Sequence, residues 1–206
     1  MNNLLNGLYV ITDNKLTPND KILQSIEQVL HGGANIVQLR DKINDDKKIE
    51  DISLKLQKLC RKCNALFVLN DRVDIAIKLN LDGLHIGKDD YDNIKEVRRN
   101  FKGILGVSCY DSLEMAKDMQ KIGADYVAFG ACFSSPTKPN AKIIDLEIIK
   151  KAKKDLNIPI CAIGGINKDN VATLLQYKPD MIAIISDIWN SDDMTKRARF
   201  FTNLID

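Results

Sequence analysis

Several classes of protein are excluded by what this 206-residue chain has little of. Aromatic residues make up 6% of it, too few for a row of base-stacking platforms. Charge is nearly balanced, with 30 Lys and Arg against 28 Asp and Glu for a formal +2, so the clustered basic face of a nucleic-acid binder is not indicated. Eleven Gly and five Pro argue against disorder and against a turn-rich all-β fold. No run approaches the roughly 18 apolar residues needed to span a bilayer. The opening residues, Met1 to Gly7, have no basic stretch ahead of an apolar core, so no secretory signal is expected. The five cysteines are an odd count. Cys109, Cys132 and Cys161 lie in or just after apolar runs, where a free thiol behaves as a small hydrophobe. Cys60 and Cys63 form a C-x-x-C, yet zinc would need two further ligands from a chain with only two histidines. A reducing cytoplasm is the expected setting.

What is present is 45% hydrophobic and 28% charged residue, enough apolar material for the core of one domain spanning residues 1–206. Apolar runs recur at Gly7–Asp13, Asn35–Arg40, Leu66–Asn70, Gly83–Gly87, Ile104–Cys109, Tyr126–Ala131, Pro159–Gly165 and Met181–Ser186. They are nearly continuous in hydrophobicity, as in parallel strands covered on both faces. Charged segments with helical stripes separate them: Ile22, Ile26, Val29 and Leu30; Ile52, Leu54, Leu56 and Leu59; Met115, Met119 and Ile122; Ile148, Ile149, Ala152 and Leu156. Eight β units without a linker predict an α/β fold, a single-domain (β/α)8 TIM barrel, short beside the typical length of about 250 residues. A doubly wound open sheet is the competitor. It would be expected to carry a glycine-rich fingerprint after the first strand, where Asp13-Asn14-Lys15-Leu16 stands instead.

Reactive groups of a parallel barrel gather at the carboxyl ends of its strands. The first run ends in Thr12-Asp13. Along the second, alternation puts Gln38, Arg40 and Lys42 on one side, two cations and an amide that suit a polyanion. The third ends Asn70-Asp71-Arg72, and the fourth leads through Gly87-Lys88 to Asp89-Asp90. Asp71 and an acid after the fourth strand read as Mg²⁺ ligands beside a diphosphate. Helix capping explains the same aspartates, and spacing leaves both readings open. Ser108 closes the fifth run, and the sixth is followed by Ser134-Ser135-Pro136-Thr137-Lys138. Gly165 after the seventh and Ser186 after the eighth stand where barrels of this architecture bind phosphate. His85, inside the fourth strand, is expected to be a satisfied core residue, and His31 to sit at a helix end.

The motifs LYVITD (8–13), VQLRDK (37–42), LNDRVDIA (69–76), DGLHIGKDD (82–90), GVS (106–108), ADYVAFGACFSSPTK (124–138), AIGGI (162–166) and IIS (184–186) occur in that order. Through them the chain resembles the thiamine-phosphate synthase family over essentially its whole length. The resemblance implies a barrel that joins a hydroxymethylpyrimidine diphosphate to a (carboxy)thiazole phosphate, releasing pyrophosphate, with Mg²⁺ as cofactor. It implies that Gln38, Leu39, Arg40, Asp41, Lys42, Asn70, Ser108 and Lys138 contact the pyrimidine diphosphate. By the same resemblance Ser135, Pro136, Thr137, Gly165, Ile185 and Ser186 form the thiazole phosphate pocket, and Asp71 and Asp90 ligate Mg²⁺. The implied partners are small phosphorylated substrates, without nucleic acid or membrane, and a homo-oligomer is compatible with it. Departures from the pattern are Lys88, where the family commonly has Gln, the segment 177–181 before the last strand, and Cys132 and Ser134.

Three other classes compete. A thiazole tautomerase on the same scaffold tends to carry a histidine shortly after the GVS-like serine, where Cys109-Tyr110-Asp111 stands here. A non-catalytic phosphate-ligand sensor would bind product without turnover. A Schiff-base aldolase would need a lysine inside a strand, whereas Lys42 and Lys138 follow theirs.

Overall fold

In a computed structural model the eight apolar runs become eight parallel strands. The structure describes residues 4–135 and 141–205, and the side chains of residues 88–90 lie outside that description. Strands β1 (Gly7–Ile11), β2 (Ile36–Leu39), β3 (Leu66–Asn70), β4 (Gly83–Ile86), β5 (Ile104–Tyr110), β6 (Tyr126–Phe129), β7 (Ile160–Ile163) and β8 (Met181–Ile184) pair in chain order. β1 pairs with both β2 and β8, which closes the barrel and excludes the open sheet. Around it stand α1 (Ile22–His31), α2 (Asp46–Lys62), α3 (Val73–Lys78), α4 (Ile94–Asn100), α5 (Leu113–Ile122), α6 (Glu147–Asp155), α7 (Val171–Leu175), α8 (Ser186–Trp189) and α9 (Met194–Ile205). A 3₁₀ turn, Lys88–Asn93, links β4 to α4.

Alternation along each strand builds two cores. Leu8, Val10, Val37, Leu39, Phe67, Leu69, Leu84 and Ile86 face outward into the shell beneath the helices. Tyr9, Ile11, Ile36, Leu66, Val68, Tyr126, Ala128, Cys161, Met181 and Ala183 fill the barrel itself. The first helical stripe is buried as its spacing predicts. In α2 the buried face is Ile49, Ile52, Ser53, Leu56, Gln57 and Cys60, and Leu54 is 49% exposed. Leu54 lies two residues from both Ile52 and Leu56, which turns it off their face. Cys60, Cys109, Cys132 and Cys161 are buried thiols and Cys63 is exposed, so the C-x-x-C is split between core and surface.

Local chemistry sets the helix ends. Asp45 caps α2 by accepting from the Lys48 amide, and Ser112 caps α5 by accepting from Met115. Gly123, at φ +99, ends α5 in the left-handed region that suits glycine. Trp189 of α8 donates its indole N–H to the Ile11 carbonyl at 2.7 Å, fastening the last short helix to the end of β1. No helix among the described residues is long and apolar enough to cross a membrane.

Candidate active site

Thr12, just past β1, accepts from the Arg40 amide at 2.9 Å and so ties the ends of β1 and β2 together. Arg40 is half-buried there, and no carboxylate among the described residues pairs with it. Gln38 is buried one alternation below, inside the barrel. Leu39 faces the helix shell, so its backbone rather than its side chain borders the mouth. Asp41 likewise serves the loop. It accepts from the Ile43 and Asn44 amides at 2.9 and 3.0 Å and from the Asn44 side chain. Burial alone would raise this carboxyl. The Asn44, Ile43 and Asn14 donors outweigh burial and hold it below the ordinary carboxylate range. Arg72 braces the same loop by pairing with Asp46 and donating to the Asn44 carbonyl.

After β3 the chain turns sharply at Asp71, at φ +64. Aspartate is among the few residues that visit this region readily. The Asp71 amide donates to the His85 carbonyl, which keeps the turn against β4. Its carboxylate forms an ion pair with Lys42, the two side chains 30% and 50% exposed. Asn70 points into the barrel at the level of His85, its partner in the β3–β4 ladder. A Cβ built on Gly87 would lie 4.0 Å from Asp71 Oδ1, so this carboxylate adjoins the start of the 3₁₀ turn that carries Asp90. The Asp90 side chain lies outside the described residues. Tyr91 of the same turn donates to the Ser108 carbonyl and anchors the turn to β5, and burial pushes its phenol up.

The donor set suits a hard cation. Among the described residues no group of three or more His, Cys, Asp or Glu is placed to hold a metal ion. Asp71 offers a partly exposed carboxylate at the rim, and Mg²⁺ characteristically takes one or two such ligands with phosphate oxygens and water.

Ser108 sits where the β5–β6 register shifts, between Ser108 and Tyr110, and its side chain points inward. Below it runs a feature that one-strand-at-a-time reading missed. Gln38 Nε2 donates to the Tyr9 hydroxyl at 2.6 Å. The Tyr9 and Tyr126 hydroxyls are 2.8 Å apart, Tyr126 Oη lies 2.9 Å from His85 Nδ1, and His85 Nε2 lies 2.9 Å from Ser108 Oγ. Burial pushes the His85 imidazole down to about 4, against a smaller opposing effect of Asp71, so the ring is neutral at pH 7. The Tyr9 and Tyr126 phenols are pushed up by burial and stay protonated. His85 is thus the satisfied core residue its strand position predicts. The inward placement of Tyr9 and Tyr126 follows from alternation in LYVITD and YVAF, but nothing along the chain joins residues 117 positions apart.

Across the mouth, Gly164 and Gly165 adopt φ +103 and +66. A Cβ on Gly165 would lie 2.4 Å from the Phe133 and Ser134 carbonyls, so glycine is required for the β7 end to meet the loop after β6. Ser186 opens α8, directly after Ile185. Ser135 is half-buried at the edge of this loop, and Pro136, Thr137 and Lys138 lie outside the described residues.

A closed (β/α)8 barrel with its polar groups at the carboxyl ends of the strands defines the class, a barrel enzyme with its site at that face. A family model described as thiamine monophosphate synthase matches residues 8–188. The thiamine-phosphate synthase of Wolinella succinogenes is 43% identical over 188 residues, 90% of this chain and 86% of that one. The thiamine-phosphate synthase of Thioalkalivibrio sulfidiphilus is 39% identical over 197 residues, 95% of this chain and 93% of that one. A solved thiamine phosphate pyrophosphorylase from Pyrococcus furiosus superimposes with a TM-score of 0.87 at 36% identity, covering 98% of each chain. The chain belongs to the thiamine-phosphate synthase family.

Proposed function

We propose that the protein condenses 4-amino-2-methyl-5-(diphosphooxymethyl)pyrimidine with a (carboxy)thiazole phosphate, giving thiamine phosphate and pyrophosphate. The C–O bond to the diphosphate breaks first. The electron pair leaves with pyrophosphate, and the pyrimidine-methyl cation is captured by the thiazole nitrogen, with CO₂ lost when the thiazole is carboxylated. The observation that carries this reading is the mouth at β2 and β3. There Arg40 has no carboxylate partner among the described residues, beside the Lys42–Asp71 pair and the inward Gln38 and Asn70.

No titrating base is required. The residues must bind a leaving group, hold two partners close and keep water away from a cation. Arg40, Lys42 and, by resemblance, Lys138 bind the diphosphate; Gln38, Asn70 and Ser108 orient the pyrimidine. Ser135, Thr137, the Gly165 backbone, Ile185 and Ser186 hold the thiazole phosphate. Asp71 and Asp90 would hold Mg²⁺, which when bound neutralises charge developing on the departing diphosphate. The test is to mix the protein with both phosphorylated substrates and Mg²⁺ and measure pyrophosphate and thiamine phosphate in equal amounts. Absence of both products, with rapid isomerisation of the thiazole phosphate, would favour the tautomerase instead.

A further inference from the structure

The interiors of (β/α)8 barrels are dominated by branched aliphatic side chains. Here five strands each contribute one polar side chain to a single hydrogen-bonded line across the barrel: Gln38, Tyr9, Tyr126, His85 and Ser108. Its two ends are residues that the proposed function assigns to the pyrimidine, and its three middle members have no role in that function. His85 and Tyr126 also stack, with ring centroids 5.6 Å apart.

The line has a direction. Gln38 gives an amide proton to Tyr9. If Tyr126 also donated to Tyr9, the Tyr9 hydroxyl proton would have no acceptor in a fully buried site, an expensive arrangement. Tyr9 therefore donates to Tyr126, Tyr126 to His85 Nδ1, and His85 Nε2–H to Ser108 Oγ. The Ser108 hydroxyl proton and Gln38 Oε1 are both left unused by the line. Among the described residues the only buried side-chain polar atom without a partner is Ser53 Oγ.

We propose that His85, with Tyr126 and Tyr9, is a positioning relay that holds one imidazole tautomer, so that Ser108 meets the substrate as a hydrogen-bond donor and Gln38 as an acceptor. That pair complements the ring nitrogen and exocyclic amine of a 4-aminopyrimidine, one an acceptor and the other a donor. The substrate half of this inference rests on the proposed function, whereas the tautomer half does not.

The test uses the ¹⁵N spectrum of the 206-residue chain at neutral pH, simplified by its having only two histidines. The buried His85 should appear as the Nε2–H tautomer alone. In Tyr126→Phe, which removes one hydroxyl and little volume, the tautomers should mix. KM for the pyrimidine diphosphate should rise about tenfold while KM for the thiazole phosphate stays put. Tyr9→Phe should act in the same direction, and serves if Tyr126→Phe folds poorly. An Nδ1–H tautomer in the wild type would overturn the relay, because Ser108 would then donate inward. Equal changes in both KM values would overturn it too, as a merely structural effect. Failure of the wild type to make thiamine phosphate would refute the proposed function, and the wild-type tautomer would still decide the relay.

Discussion

Arg40 has its backbone pinned by Thr12 while its guanidinium meets no carboxylate among the described residues. A planar fork left in that state suits a diphosphate, which it can engage through two parallel bonds. Arg40→Ala should lower kcat/KM by about 100- to 1000-fold, the scale for losing one donor to developing charge. Its circular dichroism and urea midpoint should match the wild type; near-normal turnover would remove Arg40 from the site. His85 carries a different prediction. Its folded pKa of about 4 lies below the roughly 6.5 of an unfolded histidine. Between those values the unfolded chain binds a proton that the folded chain does not, so stability falls as pH drops through the window. From pH 7 to pH 5 this group alone should cost about 2 kcal/mol. Urea melts in EDTA should show that slope, and His85→Gln should lack it; parallel curves would contradict the assignment. Residue positions at the mouth were legible where they depend on one strand's alternation, as for Gln38, Arg40 and Lys42. The loop role of Asp41 was not, because its partners Asn14, Ile43 and Asn44 meet it only once the β2–α2 connection has folded.

Between elements, the β5–β6 contact shows how narrow the tolerance is. A Cβ on Gly106 would lie 2.0 Å from Cζ of the Tyr126 ring, so the glycine in GVS makes room for a tyrosine on the next strand. Gly106→Ala should destabilise the protein by about 1–3 kcal/mol, the usual range for overpacking. It should also displace Tyr126 and disturb the His85 ¹⁵N signals. An unaltered urea midpoint would show that the ring can step aside. The strands themselves were legible because parallel strands buried on both faces read as unbroken apolar runs. Leu66–Asn70 coincides with β3, while the run Pro159–Gly165 extends past β7, which ends at Ile163. The overshoot has a physical cause: Gly164 and Gly165 turn left-handed to meet the loop after β6, and composition alone does not report φ.

For the molecule as a whole, the near-neutral total of +2 conceals an uneven arrangement, with Arg40, Lys42 and Asp71 at the ends of two neighbouring strands. Metal removal should therefore separate activity from folding. EDTA should reduce turnover at least about 100-fold, and excess Mg²⁺ should restore it. The far-ultraviolet spectrum and melting temperature should hardly move, since the two cores contain none of the proposed ligands. Closure of the barrel was legible from eight regular repeats. The polar line through its centre was not, since it depends on which inward positions fall level once β1, β2, β4, β5 and β6 are wound together.

That line places two kinds of selection in opposition. Exchanging buried polar groups for well-packed hydrocarbon is often neutral or stabilising. A laboratory lineage chosen only for resistance to heat would be free to turn Tyr9, Gln38, His85, Ser108 and Tyr126 into aliphatic filling, and would arrive at a sturdier barrel that makes nothing. A lineage chosen for product would keep all five and find its added stability in the outer shell of helices. The two histories would part at the centre of the molecule, before either had touched a residue on its surface.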